Sequence, residues 1–424
     1  MKLNSRLALF VVAVLFASVE MKAQESSAVR PRTVTTTAQV QQTPAQTSAQ
    51  AAPLPKPAES TTGSPVIEPE AQRKLAGPVA NLAPSVVQAR ITEARRMLKT
   101  RPVPTASVPS IEFVTIAALE RETARTHFIT LSKQTFLTKG AEVNTTTSEG
   151  TNVNVRIIRA NGVNTALTIF TQDGHSLTPL TVEYPIERGG KFLETAYYTS
   201  AHPALLSPDL VRSGQSYVRN MLDLAAKRLR DNGVAISPEI VDVAERLCVV
   251  EHVDHDRFRA ENRLALYDEI YSLFALNELD TYRFSVSSAG AGGMVQMIPW
   301  AYNLLRTRHP GVGLVPDFVT GMRNHANALQ AMLLYMNDTW ADLTANDEVK
   351  YALNAKLATP SELLAAGYNS NAAKLPLYLK RGGDSWRTLI PRETQMYLQI
   401  YKSFESLVPM HSRAVAQETT KDTN

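Results

Sequence analysis

The sequence predicts an α+β protein in which a small antiparallel β domain precedes a mainly helical region. Between residues 110 and 200, β-branched runs are separated by Asn161-Gly162 and by Asp173-Gly174. Such pairs between β-branched runs are the strongest short-range hairpin signals. After them, Ser207-Pro208 joins a helix N-cap to a proline at the first helical position. The sheet and the helices are therefore expected in separate stretches of the chain.

The predicted strands lie in a segment without a candidate for chemistry. Three runs, NVNVRIIRA, VNTALTIFT and LTPLTVEY, have the composition and alternation of half-buried strands. His175 stands alone in a turn between two of these runs, where we expect it to be solvated. The β domain contains no recognisable catalytic cluster, so a functional site is expected among the helices.

Helical periodicity, caps and breakers delimit the other elements. Gly233 ends the helix that begins at Pro208, and the stretch TRPVPTASVP ends a short helix before the sheet. The predicted helices span residues 84–99, 208–233, 237–253, 260–278, 317–340, 361–366 and 391–407. We assign residues 205–408 to one mainly helical domain and residues 409–424 to a polar tail.

Residues 1–23 have the pattern of a secretory signal peptide. Lys2 and Arg6 precede an apolar run over residues 7–17, and Ala23 offers a small residue before the expected cut. The apolar run is too short to span a bilayer comfortably, so we expect no stable membrane span. An uncleaved anchor is the alternative. With either outcome we expect a protein exported to the periplasm or cell envelope of a bacterium.

Composition excludes several classes of protein. Cys248 is the only cysteine, so no internal disulfide can form, and its apolar neighbours predict a buried helical thiol. Removal of residues 1–23 leaves 41 basic and 39 acidic residues, and a net charge of +2 does not support nucleic-acid binding. Residues 24–84 are rich in Pro, Thr, Gln and Ala, which predicts a disordered tether.

The predicted helix over residues 260–278 ends in a candidate acid. Tyr267, Tyr271, Phe274 and Glu278 stand at i, i+4, i+7 and i+11, so one helical stripe would place a carboxyl at the end of an apolar face. Desolvation at that position would raise the pKa of Glu278 and keep it protonated, as a general acid requires. The alternative is an ordinary helix-terminal glutamate that faces water.

A glycine-rich loop, SSAGAGGMVQMIPW over residues 287–300, follows this acid. It is not a dinucleotide fingerprint, because Val295 occupies the place of the third glycine, and no Lys-Ser/Thr pair follows to make a Walker loop. The glycines are expected to let backbone approach an extended ligand closely. The amide of Gln296 can both donate to and accept from a sugar or acetamido group.

The spacing between acid and loop resembles the signature of lytic transglycosylases with a lysozyme-like domain. In that family, the catalytic glutamate is followed by serine at +9, Gly-Ala-x-Gly from +12, glutamine at +18 and proline at +21. Counted from Glu278, these positions hold Ser287, Gly290-Ala291-Gly292-Gly293, Gln296 and Pro299. All the spacings match, which is far more specific than any one motif.

Two later blocks occur in the family's order. AAGYNSN, over residues 365–371, is similar to its Ala-Ala-Tyr-Asn-Ala-Gly segment, and IPRETQMYLQIY, over residues 390–401, resembles its closing Pro-x-Glu-Thr-x-x-Tyr helix. The closing block, together with GMRNHANALQAMLLYM, is most similar to the membrane-bound lytic transglycosylase D group. The resemblance covers about half of the chain, roughly residues 207–407.

The resemblance implies a lysozyme-like catalytic domain that cleaves the glycan strand of peptidoglycan without a metal or other cofactor. Protonated Glu278 would donate to the β-1,4 glycosidic oxygen between N-acetylmuramic acid and N-acetylglucosamine. As a carboxylate it would then help the muramyl 6-hydroxyl to form a 1,6-anhydro product. By position in the motifs, the residues that would bind or shape the substrate are Ser287, Gln296, Tyr368, Asn369 and Glu393.

The chain also departs from the family pattern. Leu279 follows the acid where serine is usual, Met294-Val295 replaces the usual pair before the glutamine, and Ser370-Asn371 replaces Ala-Gly. Two alternatives therefore stay open, a muramidase on the same fold and a non-catalytic peptidoglycan-binding scaffold.

An inverting muramidase needs a second carboxylate about 6.5–9.5 Å from the acid. Asp280 is the nearest in sequence, but two residues along a helix point to a different face. The HVDH stretch at residues 252–255 lacks the spacing and third ligand of a zinc site.

Overall fold

The computed structural model describes residues 84–100, 110–200, 202, 205–278 and 290–413. The predicted signal peptide, the predicted tether up to residue 83, Ser287, Leu279, Asp280 and the tail beyond residue 413 lie outside the described residues. Within these residues the protein combines helices with an antiparallel sheet, which confirms the α+β class.

The strands of the described residues pair in one sheet, in the order β2-β1-β6-β5-β4-β3, with β7 paired to β6. They are β1 (Phe113–Glu120), β2 (Thr126–Ser132), β3 (Glu142–Thr146), β4 (Asn152–Arg159), β5 (Ala166–Thr171), β6 (Ser176–Arg188) and β7 (Lys191–Tyr198). A short helix, α2 (Lys133–Phe136), follows β2.

Strand β6 organises the sheet because it pairs with three neighbours. Val182 lies opposite Ile116 of β1 on one side and opposite Tyr198 of β7 on the other. The first residues of β6 pair instead with β5, where Leu177 lies opposite Ile169. Strand β7 pairs with β6 alone among the described strands, and the chain continues from it to the helical region.

Helix α1 (Pro84–Thr100) precedes the sheet, α2 lies between β2 and β3, and the remaining helices follow the sheet. They are α3 (Pro208–Asp231), α4 (Pro238–Val250), α5 (His255–Ala260), α6 (Arg263–Leu276), α7 (Pro299–Arg308), α8 (Phe318–Arg323), α9 (His325–Ala345), α10 (Asp347–Asn354), α11 (Pro360–Asn369), α12 (Leu375–Gly382), α13 (Trp386–Leu389) and α14 (Arg392–Leu407). Ser207 and Ser237 accept N-cap hydrogen bonds at the starts of α3 and α4, in agreement with the sequence.

Helix α9 forms the centre of the helical region. Most of its residues are buried, and it contacts α3, α4, α7, α8, α10 and α11. Helices α3 and α6 cross with their backbones in contact, because a Cβ at Gly214 would lie 1.9 Å from the carbonyl oxygen of Tyr271. Only glycine permits that approach. The helix that ends near Glu278 is thus held between α3 and the rest of the core.

A second apolar cluster lies apart from this core. It joins α1, strands β1 and β6, and the last turn of α6. Its residues include Val87, Ile91, Ala94, Leu98, Leu119, Leu180, Ala275 and Leu276. The C-terminal end of α6 therefore packs against the sheet and α1, whereas its earlier turns pack in the helical core.

Four predicted helices have other bounds in the structure, and one of them, predicted over residues 361–366, spans Pro360–Asn369. The predicted helix 260–278 begins only at Arg263, because Asn262 caps α6 by accepting from the N–H of Ala265, and it ends at Leu276. Residues before it form a separate helix, α5, that is not among the predicted helices. The segment 317–340 breaks at Asn324, whose side chain accepts from the N–H of Asn327 and caps α9. The segment 237–253 ends as a helix at Val250.

The single cysteine has the predicted environment. Cys248 is fully buried in α4, and burial raises the pKa of its thiol. Among the described residues, no helix combines the length and apolar character that a membrane span requires.

Candidate functional site

Glu278 lies just beyond α6 and not on it. Asn277 leaves the helical conformation with φ −126° and ψ 39°, so the side chain of Glu278 does not continue the stripe predicted from Tyr267, Tyr271 and Phe274. Those three aromatic residues are fully buried, whereas Glu278 is exposed. The remaining burial nevertheless raises the pKa of the Glu278 carboxyl above its ordinary value. The pKa of Glu278 is shifted in the predicted direction. The predicted cause, a position at the end of an apolar helical stripe, is wrong, because the helix ends before Glu278.

The described part of the glycine-rich loop, from Gly290 onward, has a defined conformation. Gly290 and Gly293 have φ of 76° and 73°, in the left-handed region that favours glycine. A Cβ at Gly293 would also lie 2.9 Å from the carbonyl oxygen of Met322. The N–H of Gly292 donates to the carbonyl of Met297 at 3.2 Å and closes the loop. The glycines are therefore needed for the turn and for close packing on α8.

Met294 and Val295 anchor this loop. Both side chains are fully buried in the core, and both backbone carbonyls accept hydrogen bonds from side chains. His252 donates from Nε2 to the Met294 carbonyl at 2.9 Å, and the Tyr368 hydroxyl donates to the Val295 carbonyl at 2.7 Å. The imidazole of His252 also packs edge-on against Phe274 of α6. The loop is thus bonded to two elements that lie far from it in sequence.

Gln296 has an unusual backbone conformation for a non-glycine residue. Its φ is 47°, and its side-chain Nε2 donates to the carbonyl oxygen of Gly293 at 2.8 Å. Left-handed backbone at a non-glycine residue clusters at functional sites, where the surrounding structure compensates for the strain. The hydrogen bond to Gly293 fixes the amide nitrogen of Gln296, and because the amide group is planar, the direction of its oxygen is fixed too.

Gln296 lines a cavity of about 770 Å³ between α7, α9 and the end of α11. Its walls combine apolar and aromatic side chains with amides and carboxylates, as small-molecule sites commonly do. Lining residues include Gln296, Ile298, Trp300, Tyr335, Tyr368 and Asn371. Two acids of α9, Asp338 and Asp342, line the cavity on the same helical face, and His309 and Arg308 pair with Asp338.

Tyr368 brings the AAGYNSN block to this cavity. The side chain is buried, its hydroxyl is bonded to Val295, and its ring stands edge-on to Tyr335 with centroids 5.7 Å apart. The structure therefore brings together Gln296 and Tyr368, which are 72 positions apart in the sequence. Tyr368 helps to fix the loop that holds Gln296, in addition to forming part of the cavity wall.

Asn369 and Glu393 do not line this cavity. Asn369 is the last residue of α11 and is buried, and its Nδ2 has no hydrogen-bond partner among the described residues. Glu393 lies half-buried in the first turn of α14, where a negative charge is favoured by the helix dipole. Ser287 lies outside the described residues. Glu278 is not among the residues that line the cavity.

Sequence reasoning overlooked two features of the cavity. The first is Trp300, one of three tryptophans in the chain, whose side chain is 68 % exposed at the cavity. Its position directly after the glycine-rich loop could have suggested a binding role, because an exposed large apolar side chain often marks a ligand site. Asp338 and Asp342 are four residues apart on α9, but nothing local in the sequence connects that helix face with the loop.

Within the described residues, no group of three or more His, Cys, Asp or Glu side chains is arranged to hold a metal ion. His252 of the HVDH stretch is engaged with the Met294 carbonyl, and Asp254 caps α5. No family model, no curated protein and no solved structure matches this chain.

Proposed function

We propose that the protein is a lytic transglycosylase that cleaves the glycan strand of peptidoglycan in the bacterial cell envelope, with a lysozyme-like catalytic domain. The observation that carries the proposal is the meeting of Gln296 and Tyr368 in one cavity, with the Tyr368 hydroxyl bonded to the residue before Gln296. The two residues come from separate motif blocks, and the proposal requires that these blocks form one site.

The cavity has the character that an amphipathic sugar ligand needs. Trp300 and Tyr335 supply aromatic surface, on which the apolar face of a sugar ring can rest. Gln296, Asn371 and Asp342 supply acceptors and donors for hydroxyl and acetamido groups. We infer that glycan units extend along this cavity from the bond that is cleaved.

Glu278 serves as the acid and then as the base. Its raised pKa favours the protonated form, which donates to the glycosidic oxygen as the bond to the anomeric carbon breaks. The resulting carboxylate accepts the proton of the muramyl 6-hydroxyl while that oxygen bonds to the anomeric carbon. Atoms balance without water, and the product is a 1,6-anhydro sugar. Activity should therefore fall as the pH rises through the pKa of Glu278, because only the protonated carboxyl can start the reaction.

The proposal is tested by digestion of purified peptidoglycan with the wild type and with Glu278→Gln. We expect the substitution to reduce digestion by about 10²–10⁴-fold while binding to peptidoglycan persists, because only the general acid is removed. Glu239→Gln, at an exposed glutamate in the first turn of α4, is the matched control and should keep full activity. Digestion that is unchanged in Glu278→Gln contradicts the proposal.

The masses of the products separate the alternatives. A transglycosylase leaves anhydro ends that are lighter by one water molecule than the reducing ends a muramidase leaves. Binding of wild-type protein to peptidoglycan without any digestion would instead favour the non-catalytic scaffold.

A further inference from the structure

The residue before the proposed acid is a buried asparagine with hydrogen bonds to distant parts of the chain. Asn277 is 1 % exposed. Its Oδ1 accepts from the N–H of Thr199 at 2.8 Å, and its Nδ2 donates to the carbonyl of the same residue at 2.8 Å. The side-chain amide thus pairs with a backbone as a neighbouring strand would. Thr199 directly follows β7, so this pairing joins the sheet to the end of α6.

An arginine of α1 completes the arrangement. Nη2 of Arg95 donates to Oδ1 of Asn277 at 3.0 Å and lies within 3.4 Å of the Leu276 carbonyl and the Thr199 hydroxyl. Hydrogen bonds from a charged donor are stronger than neutral ones. We call Arg95, Thr199 and Asn277 together the Asn277 clamp.

Apolar packing also holds the C-terminal end of α6 next to the clamp. Ala275 and Leu276, the two residues before Asn277, lie in the second apolar cluster with α1 and the sheet. Gln88 of α1 also reaches the Ala275 carbonyl, at 3.4 Å. The last turn of α6 is therefore held by side chains of α1 and the sheet, and the backbone of Glu278 begins one peptide bond beyond this support.

We propose that α1 and the β domain position Glu278 for catalysis through the Asn277 clamp. This inference rests on the proposed function of Glu278. An exposed acid after a helix end has freedom to move, and misplacement of a reacting group by about 1 Å can reduce a rate by about 10²-fold. The clamp fixes the backbone on the helical side of the acid. The β domain, for which the sequence offered no role, then acts as a positioning unit, and Asn277 and Arg95 are positioning residues.

The clamp is tested with Asn277→Ala and Arg95→Ala on soluble glycan strands, and Arg159→Ala is the matched control. Arg159 also links the sheet to α6, through Glu269 at 3.2 Å, but two turns before Asn277. We expect the two clamp variants to lose about 10- to 100-fold in kcat with little change in KM, since binding surfaces are untouched. Arg159→Ala should lose thermal stability while it keeps kcat.

A second readout does not depend on turnover. The carboxyl of Glu278 is titrated by ¹³C NMR in wild type and in Asn277→Ala, a substitution that changes no charge. Arg95→Lys, which also keeps the net charge, replaces it if Asn277→Ala does not fold. We expect the pKa of Glu278 to fall toward its ordinary value, because the released segment becomes more solvated. An unchanged pKa of Glu278 or an unchanged kcat in the clamp variants overturns the positioning role of the clamp.

The two failures are distinguishable. A wild-type protein that does not digest peptidoglycan refutes the proposed function, and the titration alone then decides whether the clamp holds the carboxyl. A wild type that digests normally, with clamp variants that match Arg159→Ala in kcat, refutes the positioning role and leaves the proposed function standing.

Discussion

Met294 and Val295, which depart from the family pattern, are core residues whose carbonyls bind His252 and Tyr368. At the scale of single residues, their side chains face the interior, so a different apolar pair is compatible with the same loop. The hydrogen bonds use backbone carbonyls, which every residue supplies. This departure therefore bears on packing and leaves the position of Gln296 intact.

Trp300 is the most exposed of the large apolar residues that line the cavity. Trp300→Ala removes the indole surface on which a sugar ring would rest, so we expect KM on long glycan strands to rise by about 10-fold with kcat nearly unchanged, as for a loss of about 1.4 kcal/mol of uniform binding. Steady-state kinetics on strands of defined length measure this. Tyr351→Ala, at an exposed aromatic residue outside the cavity lining, is the control. Equal KM values in both variants would remove Trp300 from the binding surface.

At the scale of elements, the crossing of α3 and α6 sets the position of the helix that leads to Glu278. A methyl group at Gly214 would lie 1.9 Å from backbone and not from a flexible side chain, so the helices must separate. Overpacking of this kind costs about 1–3 kcal/mol and outweighs the gain in helix propensity from glycine to alanine.

We expect Gly214→Ala to lower Tm, measured by circular dichroism, and to reduce activity because α6 shifts. Gly311→Ala is the matched control, since nothing lies within 4 Å of a Cβ at that position. A variant Gly214→Ala as stable as Gly311→Ala would contradict the close crossing.

At the scale of the whole molecule, buried charge ties separate helices together. Glu362 of α11 is buried and bonded to Arg387 of α13 and Lys402 of α14. Arg413, in the predicted polar tail, donates to Asp223 of α3 and Asp242 of α4. The start of the tail is therefore attached to the helical core, which its polar composition did not indicate.

Glu362 makes stability depend on pH. Burial raises its pKa, but the bonds from Arg387, from Lys402 and from the Thr359 N–H outweigh burial and hold the pKa at about 2. Because this pKa lies below that of a glutamate in the unfolded chain, ionised Glu362 adds to the free energy of unfolding at pH values above about 4.3. This contribution, on the order of 3 kcal/mol, is lost as the pH falls toward 2. Urea denaturation from pH 5 to 2 measures the loss.

Glu362→Gln should be less stable near neutral pH and should lose less stability on acidification than the wild type. The control is Glu348→Gln, at the exposed pair with Lys380, which is expected to change stability only slightly because water screens the pair. If Glu362→Gln loses as much stability between pH 5 and pH 2 as the wild type does, Glu362 is not the source of the pH dependence.

The sequence alone determined the elements whose signals lie within a few residues. Ser207 and Ser237 start helices because each side chain accepts a hydrogen bond from the N–H three positions later. Cys248 is buried because it lies on the apolar face of α4. The same local information supplied the α+β class, whereas the candidates Gln296 and Tyr368 came from the resemblance of the motif blocks to a known family. The end of the acid's helix was wrong by two residues.

Only the tertiary structure decided where that helix ends and what holds the acid. Asn277 leaves the helix while its amide bonds to Thr199 and Arg95, which are 78 and 182 residues away. No periodicity of the local sequence contains such partners. Likewise, α9 meets the loop at Gln296 only through packing, so the cavity and its exposed Trp300 are products of the fold. Local hydrogen bonds and periodicity depend on residues that are neighbours in the sequence and can be predicted from it. Contacts between distant segments form only when the whole core is packed.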